Sequence, residues 1–443
     1  MPTRRALLRA LALTGATGST ALLGACRRGA KTTTEPEDTV LRVRVWNEAA
    51  AAAYRESLET FTSTHGYTVE VETMAWEEYW SNLPLEVADG SAPDLLWMNT
   101  ANIDQLKANG EILDLSETLG AEASALMPIA LEQYRDEDGL WGIPQTWERT
   151  ILVANRALVD AAKIDPAKLS FDPAKPTDPL REAGRVLTAD AKGLHPGDPG
   201  FDPATRTVFG FSAHPDRSAL LGPFIAANGG SWQNPDHSFA FASAQGTAAV
   251  GYLASLARER AIAPDPVQMV GDPSLCRQRF TDGSLALLQT GTYELNSLVD
   301  GIAGSFTWSL HPPVPGPKGS WPLVHAIALV QVASKDEERA AAATELLTHL
   351  ISADSMRPLA ANRLGIPART DLVADWQKAW KGQGVDVSSL TAAPEQWAKP
   401  ERGVRSAEGT GAAMPLIASI FTGEKKAADA VPAAQKAANE AVG

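Results

Sequence analysis

The stretch from Leu41 to Asn109 constrains the fold most, because its apolar pattern switches repeatedly between two periods. Leu41-Arg42-Val43-Arg44-Val45-Trp46 alternates with period two, as a strand does. Ala49 to His65 then places Tyr54, Leu58 and Phe61 near helical spacing. Tyr67 to Met74 alternates again, and Trp76 to Ala88 returns to a helical pattern. Pro93 to Met98 reads as a short buried strand, and Ile103 to Asn109 begins another helix. Strand, helix, strand, helix, strand predicts an α/β fold with a mainly parallel sheet covered by helices. Ligands of such sheets sit beyond the carboxyl ends of the strands. That rule singles out Trp46-Asn47-Glu48, Met74-Ala75-Trp76 and Trp97-Met98-Asn99-Thr100.

The middle of the chain changes character. Asp165 to Thr205 is rich in Pro, Asp and Lys, around one expected helix from Pro179 to Ala191. Val208 to Phe211 reads as a strand that restarts a second α/β unit. Leu220 to Asn228 is helical and stops at Gly229-Gly230. Gln245 to Glu259 is another helix, and Ser284 to Gln289 a buried strand leading to Thr290-Gly291-Thr292-Tyr293. Phe306 to His311 and Val324 to Val332 read as later strands. Glu337 to Ser352 is an amphipathic helix, and the alanine-rich tail from Glu424 is helical. A chain of 443 residues exceeds one ordinary domain and suits two lobes.

The amino terminus carries an address. Thr3-Arg4-Arg5-Ala6-Leu7-Leu8-Arg9 is a paired-arginine head, followed by an apolar stretch and Leu23-Gly24-Ala25-Cys26. A cationic head, an apolar middle and small residues before a cut site make a secretory leader. The head matches a twin-arginine signal, with Leu7 where the usual aromatic sits. A cut site ending in Cys predicts a lipoprotein: residues 1–25 are removed and Cys26 is acylated. Residues 26–39 then form a polar tether. Membrane contact is expected through the lipid alone, since no other segment offers the roughly 20 apolar residues of a span. The protein is expected on the outer face of the cell membrane.

Removing the leader's three arginines takes the net charge from −14 to −17. Such a surface repels phosphate backbones, so no nucleic-acid partner is expected. With Cys26 acylated, Cys276 has no intramolecular partner and a disulfide framework is excluded. No pair of His residues brackets a Glu at zincin spacing. No Gly-x-Ser-x-Gly elbow or Walker loop occurs. Nothing positive points to catalysis, a metal or a cofactor.

Four segments, in order, resemble the extracellular solute-binding proteins of ABC importers, in the sugar-binding group that includes maltose-binding protein. Ser91-Ala92-Pro93-Asp94-Leu95-Leu96-Trp97-Met98-Asn99 is similar to the family strand that leads into the ligand cleft. Gly139 to Glu148, followed by Leu152-Val153-Ala154-Asn155, resembles the first crossing between lobes. Phe280 to Leu287, running to Gly291-Thr292-Tyr293, puts Tyr293 at the family's usual aromatic position. Leu364-Gly365-Ile366-Pro367-Ala368-Arg369 resembles the last crossing. The resemblance runs from Leu41 to the C-terminus. It implies a type II, two-lobed binding-protein fold, with an N-lobe of 40–148 plus 327–363 and a C-lobe of 149–326 plus 364–443. It implies a monomeric receptor that closes over a solute by hinge bending and passes it to a permease.

A sugar has apolar C–H faces and a rim of hydroxyls, which aromatic planes and carboxylates match. The chain holds 12 Trp against 6 Tyr and 11 Phe. On these grounds the expected ligand contacts are Trp46, Glu48, Asn99, Trp147, Glu148, Trp232, Tyr293, His325 and Arg363. Trp76, Trp80, Trp308, Trp321, Trp376 and Trp380 are assigned to packing. The expected ligand is a disaccharide or short oligosaccharide. The alternatives are a non-sugar solute (sugar phosphate, phosphodiester or polyamine) and a surface carbohydrate sensor or adhesin without transport.

Overall fold

The computed structural model describes residues 40–443. The leader, Cys26 and the tether lie outside the described residues. Strand β1 (Val40–Val45) pairs in parallel with β2 (Thr68–Thr73), Val43 facing Val71, and with β3 (Leu95–Met98), Val43 facing Leu95. The helices between them form where the 3.6-residue pattern lies. Helix α1 (Glu48–His65) starts at Asn47, whose Oδ1 accepts from the Ala50 amide at 3.1 Å, and ends at Gly66 with φ 75°. It buries Tyr54, Leu58 and Phe61 against the sheet. Helices α2 (Trp76–Asp89) and α3 (Thr100–Ala108) follow β2 and β3.

The long strand β4 (Ile143–Asn155) links two sheets and is buried throughout. Its first half pairs antiparallel with β9 (Val324–Gln331), which in turn pairs with β3. Its second half pairs antiparallel with β7 (Leu285–Gly291) and β8 (Trp308–His311). Strand β6 (Arg206–Phe211) lies parallel to β7, and the short β5 (Ala189–Asp190) closes that edge. A two-residue strand, β10 (Ile366–Pro367), returns across β4 at Trp147 and Thr146. The result is a two-lobed α/β molecule. Its sheets are parallel in their strand–helix–strand portions and antiparallel where crossing strands enter, because a strand returning from the other sheet arrives from the opposite direction.

The Pro179–Ala191 helix is shorter than expected. Helix α4 (Pro179–Leu187) stops when Thr188 Oγ1 turns back to the Gly184 carbonyl at 2.8 Å. Ala189 and Asp190 then form β5, and Asp190 Oδ1 accepts from the Lys192 and Leu194 amides at 2.8 and 2.9 Å. Three later helices matter to the site: α5 (Leu295–Ile302), α6 (Ala353–Ala361) and α7 (Ser406–Thr422). Trp376 and Trp380 are fully buried, as expected of packing residues. Cys276 is a buried free thiol beside Met269, with Sγ and Sδ 3.5 Å apart. Among the described residues, no helix is long and apolar enough to cross a membrane.

Candidate ligand-binding cleft

Where β4 and β9 run together, strand alternation decides which side chains reach the cleft. Glu148 lies directly opposite His325, and Glu148 Oε2 meets His325 Nε2 at 2.9 Å. Thr146 shares their face, as do Leu323 and Ile327. Successive residues of a strand point to opposite faces, so Trp147 must point away from Glu148. It does: Trp147 is completely buried and lies outside the cleft, which corrects its expected ligand role.

The first sheet supplies an aromatic wall. Trp46, at the end of β1, sits edge-on to Trp76 and Trp97, with centroids 5.2 and 5.1 Å apart. All three line the cleft, and Trp76 is 48% exposed. Trp76 was assigned to packing, but as the first residue of α2 it projects past the sheet edge into the opening. Trp97 is fixed from behind, its Nε1 donating to Tyr54 Oη at 2.9 Å. Asn99 lines the cleft while its Oδ1 accepts from the Asn102 amide and caps α3. Glu48 does not reach the cleft. It turns outward to Arg55 and Thr73, at 2.8 Å each, because the first turn of α1 carries it off the strand axis.

The opposite wall carries Tyr293, just past the end of β7 and 38% exposed. Its ring lies 5.9 Å from that of His325. A β-carbon on Gly291 would strike the Tyr293 ring, so any other residue there must push the ring aside. Desolvation and the Asp216, Glu294 and Glu148 carboxylates raise the Tyr293 pKa well above its ordinary value. Arg363 also lines the cleft, its Nε donating to Asn296 Oδ1 at 3.0 Å while its face covers Trp380 at 5.4 Å. Trp232 is a correction. It is buried, stacked on Phe241 at 4.5 Å, and supports the Arg217 guanidinium from below instead of lining the cleft.

Six of the nine expected residues therefore border one cleft: Trp46, Asn99, Glu148, Tyr293, His325 and Arg363. The cleft has a volume of about 1110 Å³ and also takes in His214, Asp216, Arg217 and Glu401, which the sequence reading missed. A signal existed for three of them: His214 to Arg217 directly follow β6, where the strand-end rule applies. Glu401 comes from an irregular segment far along the chain and had none. Among the described residues, no group of three or more His, Cys, Asp or Glu is placed to hold a metal.

Known proteins share this fold. M. tuberculosis UspC superposes with a TM-score of 0.75 at 29% identity, over 91% of this chain and 100% of that one. Maltose-bound T. maritima MalE3 gives 0.74 at 16% identity, over 91% and 99%. The GacH receptor of Streptomyces glaucescens, solved unliganded and with acarbose, gives 0.73 at 16% identity, over 91% and 98%. At 16% identity the likeness is one of fold. The model of the family described as bacterial extracellular solute-binding protein matches residues 56–384, well over half of the sequence. The chain belongs to the bacterial extracellular solute-binding proteins.

Proposed function

We propose that the protein is a lipid-anchored receptor of an ABC importer, capturing a disaccharide or short oligosaccharide between its lobes and delivering it to a permease. The observation that carries this reading is the pairing of walls in one cleft. Trp46 and Trp76, backed by the buried Trp97, offer apolar faces, Tyr293 offers another from the opposite side, and the Glu148–His325 pair offers hydrogen bonds between them. The volume, about 1110 Å³, lies at the upper end of small-molecule sites and suits more than one sugar ring. Maltose, acarbose and α-D-tagatose are bound by structural neighbours of the same fold. The proposed hinge runs through β4, β9 and β10, with lobes of 40–148 plus 327–363 and 149–326 plus 364–443. Export and anchoring rest on the leader and on Leu23-Gly24-Ala25-Cys26.

A thermal-shift screen of the purified protein against a saccharide panel tests the reading. Ligand at about 100 times its dissociation constant adds roughly 2.7 kcal/mol to the folded state. A di- or oligosaccharide is expected to raise the melting temperature, with the effect lost in Tyr293→Ala and Trp76→Ala. Trp147→Phe is expected to keep it, since that side chain packs behind the cleft. A shift with a charged non-sugar solute and with no saccharide overturns the assignment.

A further inference from the structure

Arg217 opens a π-helical turn (Arg217–Leu221) just after β6, with Asp216 as its cap: Asp216 Oδ1 accepts from the Ala219 amide at 2.6 Å. The guanidinium lies over the Trp232 ring at 5.3 Å, and Trp232 is itself stacked on Phe241. Its orientation is thus fixed by packing. The Arg217 side chain is only 11% exposed; its Nε and Nη2 are shut off from solvent without a hydrogen-bond partner, which leaves Nη1 as the donor facing the cleft. The Glu401 carboxylate, 14% exposed, stands with Oε2 3.7 Å from Nε, beyond hydrogen-bond range. Thr410 Oγ1 donates to that same oxygen and holds it in place. The two opposite charges form a long ion pair without a hydrogen bond, and both residues line the cleft.

The next residue shows what a closed pair looks like in this chain. Arg402 grips Asp104 with both prongs, at 2.6 and 2.8 Å. Arg217 and Glu401 stand 3.7 Å apart without such a hydrogen bond, so both keep hydrogen-bonding capacity toward the cleft. A carboxylate or phosphate placed on Arg217 would meet Glu401 and Asp216, and an ammonium placed on Glu401 would meet Arg217. A hydroxyl both donates and accepts, so it can take a hydrogen bond from Arg217 and give one to Glu401, each charge-assisted.

We infer that Arg217 and Glu401 form a subsite bridged by one hydroxyl of an uncharged saccharide, and that this pair sets the cleft against acidic and cationic solutes. The inference rests on the carbohydrate reading above and narrows it. Isothermal titration would use trehalose, maltose, maltotriose and cellobiose, with glucuronate, galacturonate, glucose-6-phosphate and spermidine as charged probes. The tightest probe is expected to be uncharged. For that probe, Arg217→Met and Glu401→Gln should each weaken binding by about 10- to 100-fold. The double variant should be little worse than either single one, because one hydroxyl serves both partners. Arg217→Lys keeps the charge without the planar fork. It is expected to fold and to bind about 10-fold more weakly, which keeps the test alive should Arg217→Met unfold. A charged probe binding tightest overturns the inference. So does an uncharged probe whose affinity Arg217→Lys and Glu401→Gln leave within about threefold, or losses that simply add. If no saccharide binds at all, the carbohydrate reading fails as well.

Discussion

Arg363 borders the cleft from a strained backbone conformation. It follows α6 in the left-handed region, with φ 62°, where helices commonly end on glycine. An arginine there costs about 1 kcal/mol of backbone strain, and such strain persists where the surroundings over-determine the residue. The surroundings are present: Asn296 of α5 accepts from Nε at 3.0 Å and donates Nδ2 to the Arg363 carbonyl at 3.2 Å. Arg363→Gly is therefore expected to leave stability unchanged or raise it by up to about 1 kcal/mol in urea unfolding, while lowering ligand affinity. A variant that is both less stable and unimpaired in binding would mean that the arginine serves packing alone. Which residues border the cleft was partly legible in the sequence. Arg363 was expected from its place beside the Leu364–Arg369 segment, but only strand geometry could separate Glu148, which faces the cleft, from Trp147, which faces the core. Thirteen consecutive buried residues in β4 leave no polar alternation from which to read that choice.

At the scale of elements, legibility followed the strength of the local pattern. β1, α1, β2, α2 and β3 lie close to where their patterns put them, because the helices bury one face against the sheet and the strands are short apolar or alternating runs within it. The Pro179–Ala191 helix failed at its end, since Thr188 and Asp190 satisfy backbone groups with their side chains and stop the helix without glycine or proline. The cleft wall around Arg217 and Glu401 was hidden because its residues meet only in three dimensions. The end of β7 gives the clearest test of element-level design. Gly291 exists so that the chain can bring Tyr293 back over the strand end. Gly291→Ala is expected to push that ring aside, destabilising the fold by about 1–3 kcal/mol and weakening saccharide binding together with it. Tyr293→Ala in the same background should restore much of the stability but not the binding. If Gly291→Ala leaves both unchanged, the ring is not held where the structure has it.

For the whole molecule, the proposed lobes are tied together beside the cleft. Asp104 lies on α3, which follows the first sheet's β3, and Arg402 leads into α7, whose middle borders the cleft from the other side. The bidentate pair is reinforced by the Gly403 amide on Asp104 at 2.6 Å and by Ser406 Oγ on the Ala101 carbonyl at 2.8 Å. The proposed hinge bending, if it parts α3 from α7, has to break these bonds, so they are expected to favour a closed arrangement before ligand arrives. Burial alone would raise the Asp104 pKa, but the Arg402 guanidinium and the Gly403 amide outweigh it and hold it below the ordinary carboxylate value. The sign follows from linkage. The unfolded chain takes up the Asp104 proton at a higher pH than the folded one, so stability from this group is complete above about pH 4 and fades as pH falls through the lowered folded value. Asp104→Asn leaves Arg402 largely buried without its charge partner and is expected to cost about 3 kcal/mol in urea unfolding at pH 7. The cost should shrink in more acid solution, where the parent loses the same interaction. Small-angle scattering of the ligand-free variant is expected to give a larger radius of gyration than the parent, and saccharide affinity should fall because fewer molecules start out closed. An unchanged radius with a normal stability loss would make the pair a structural clamp within a rigid region, and would move the hinge away from the α3–α7 contact.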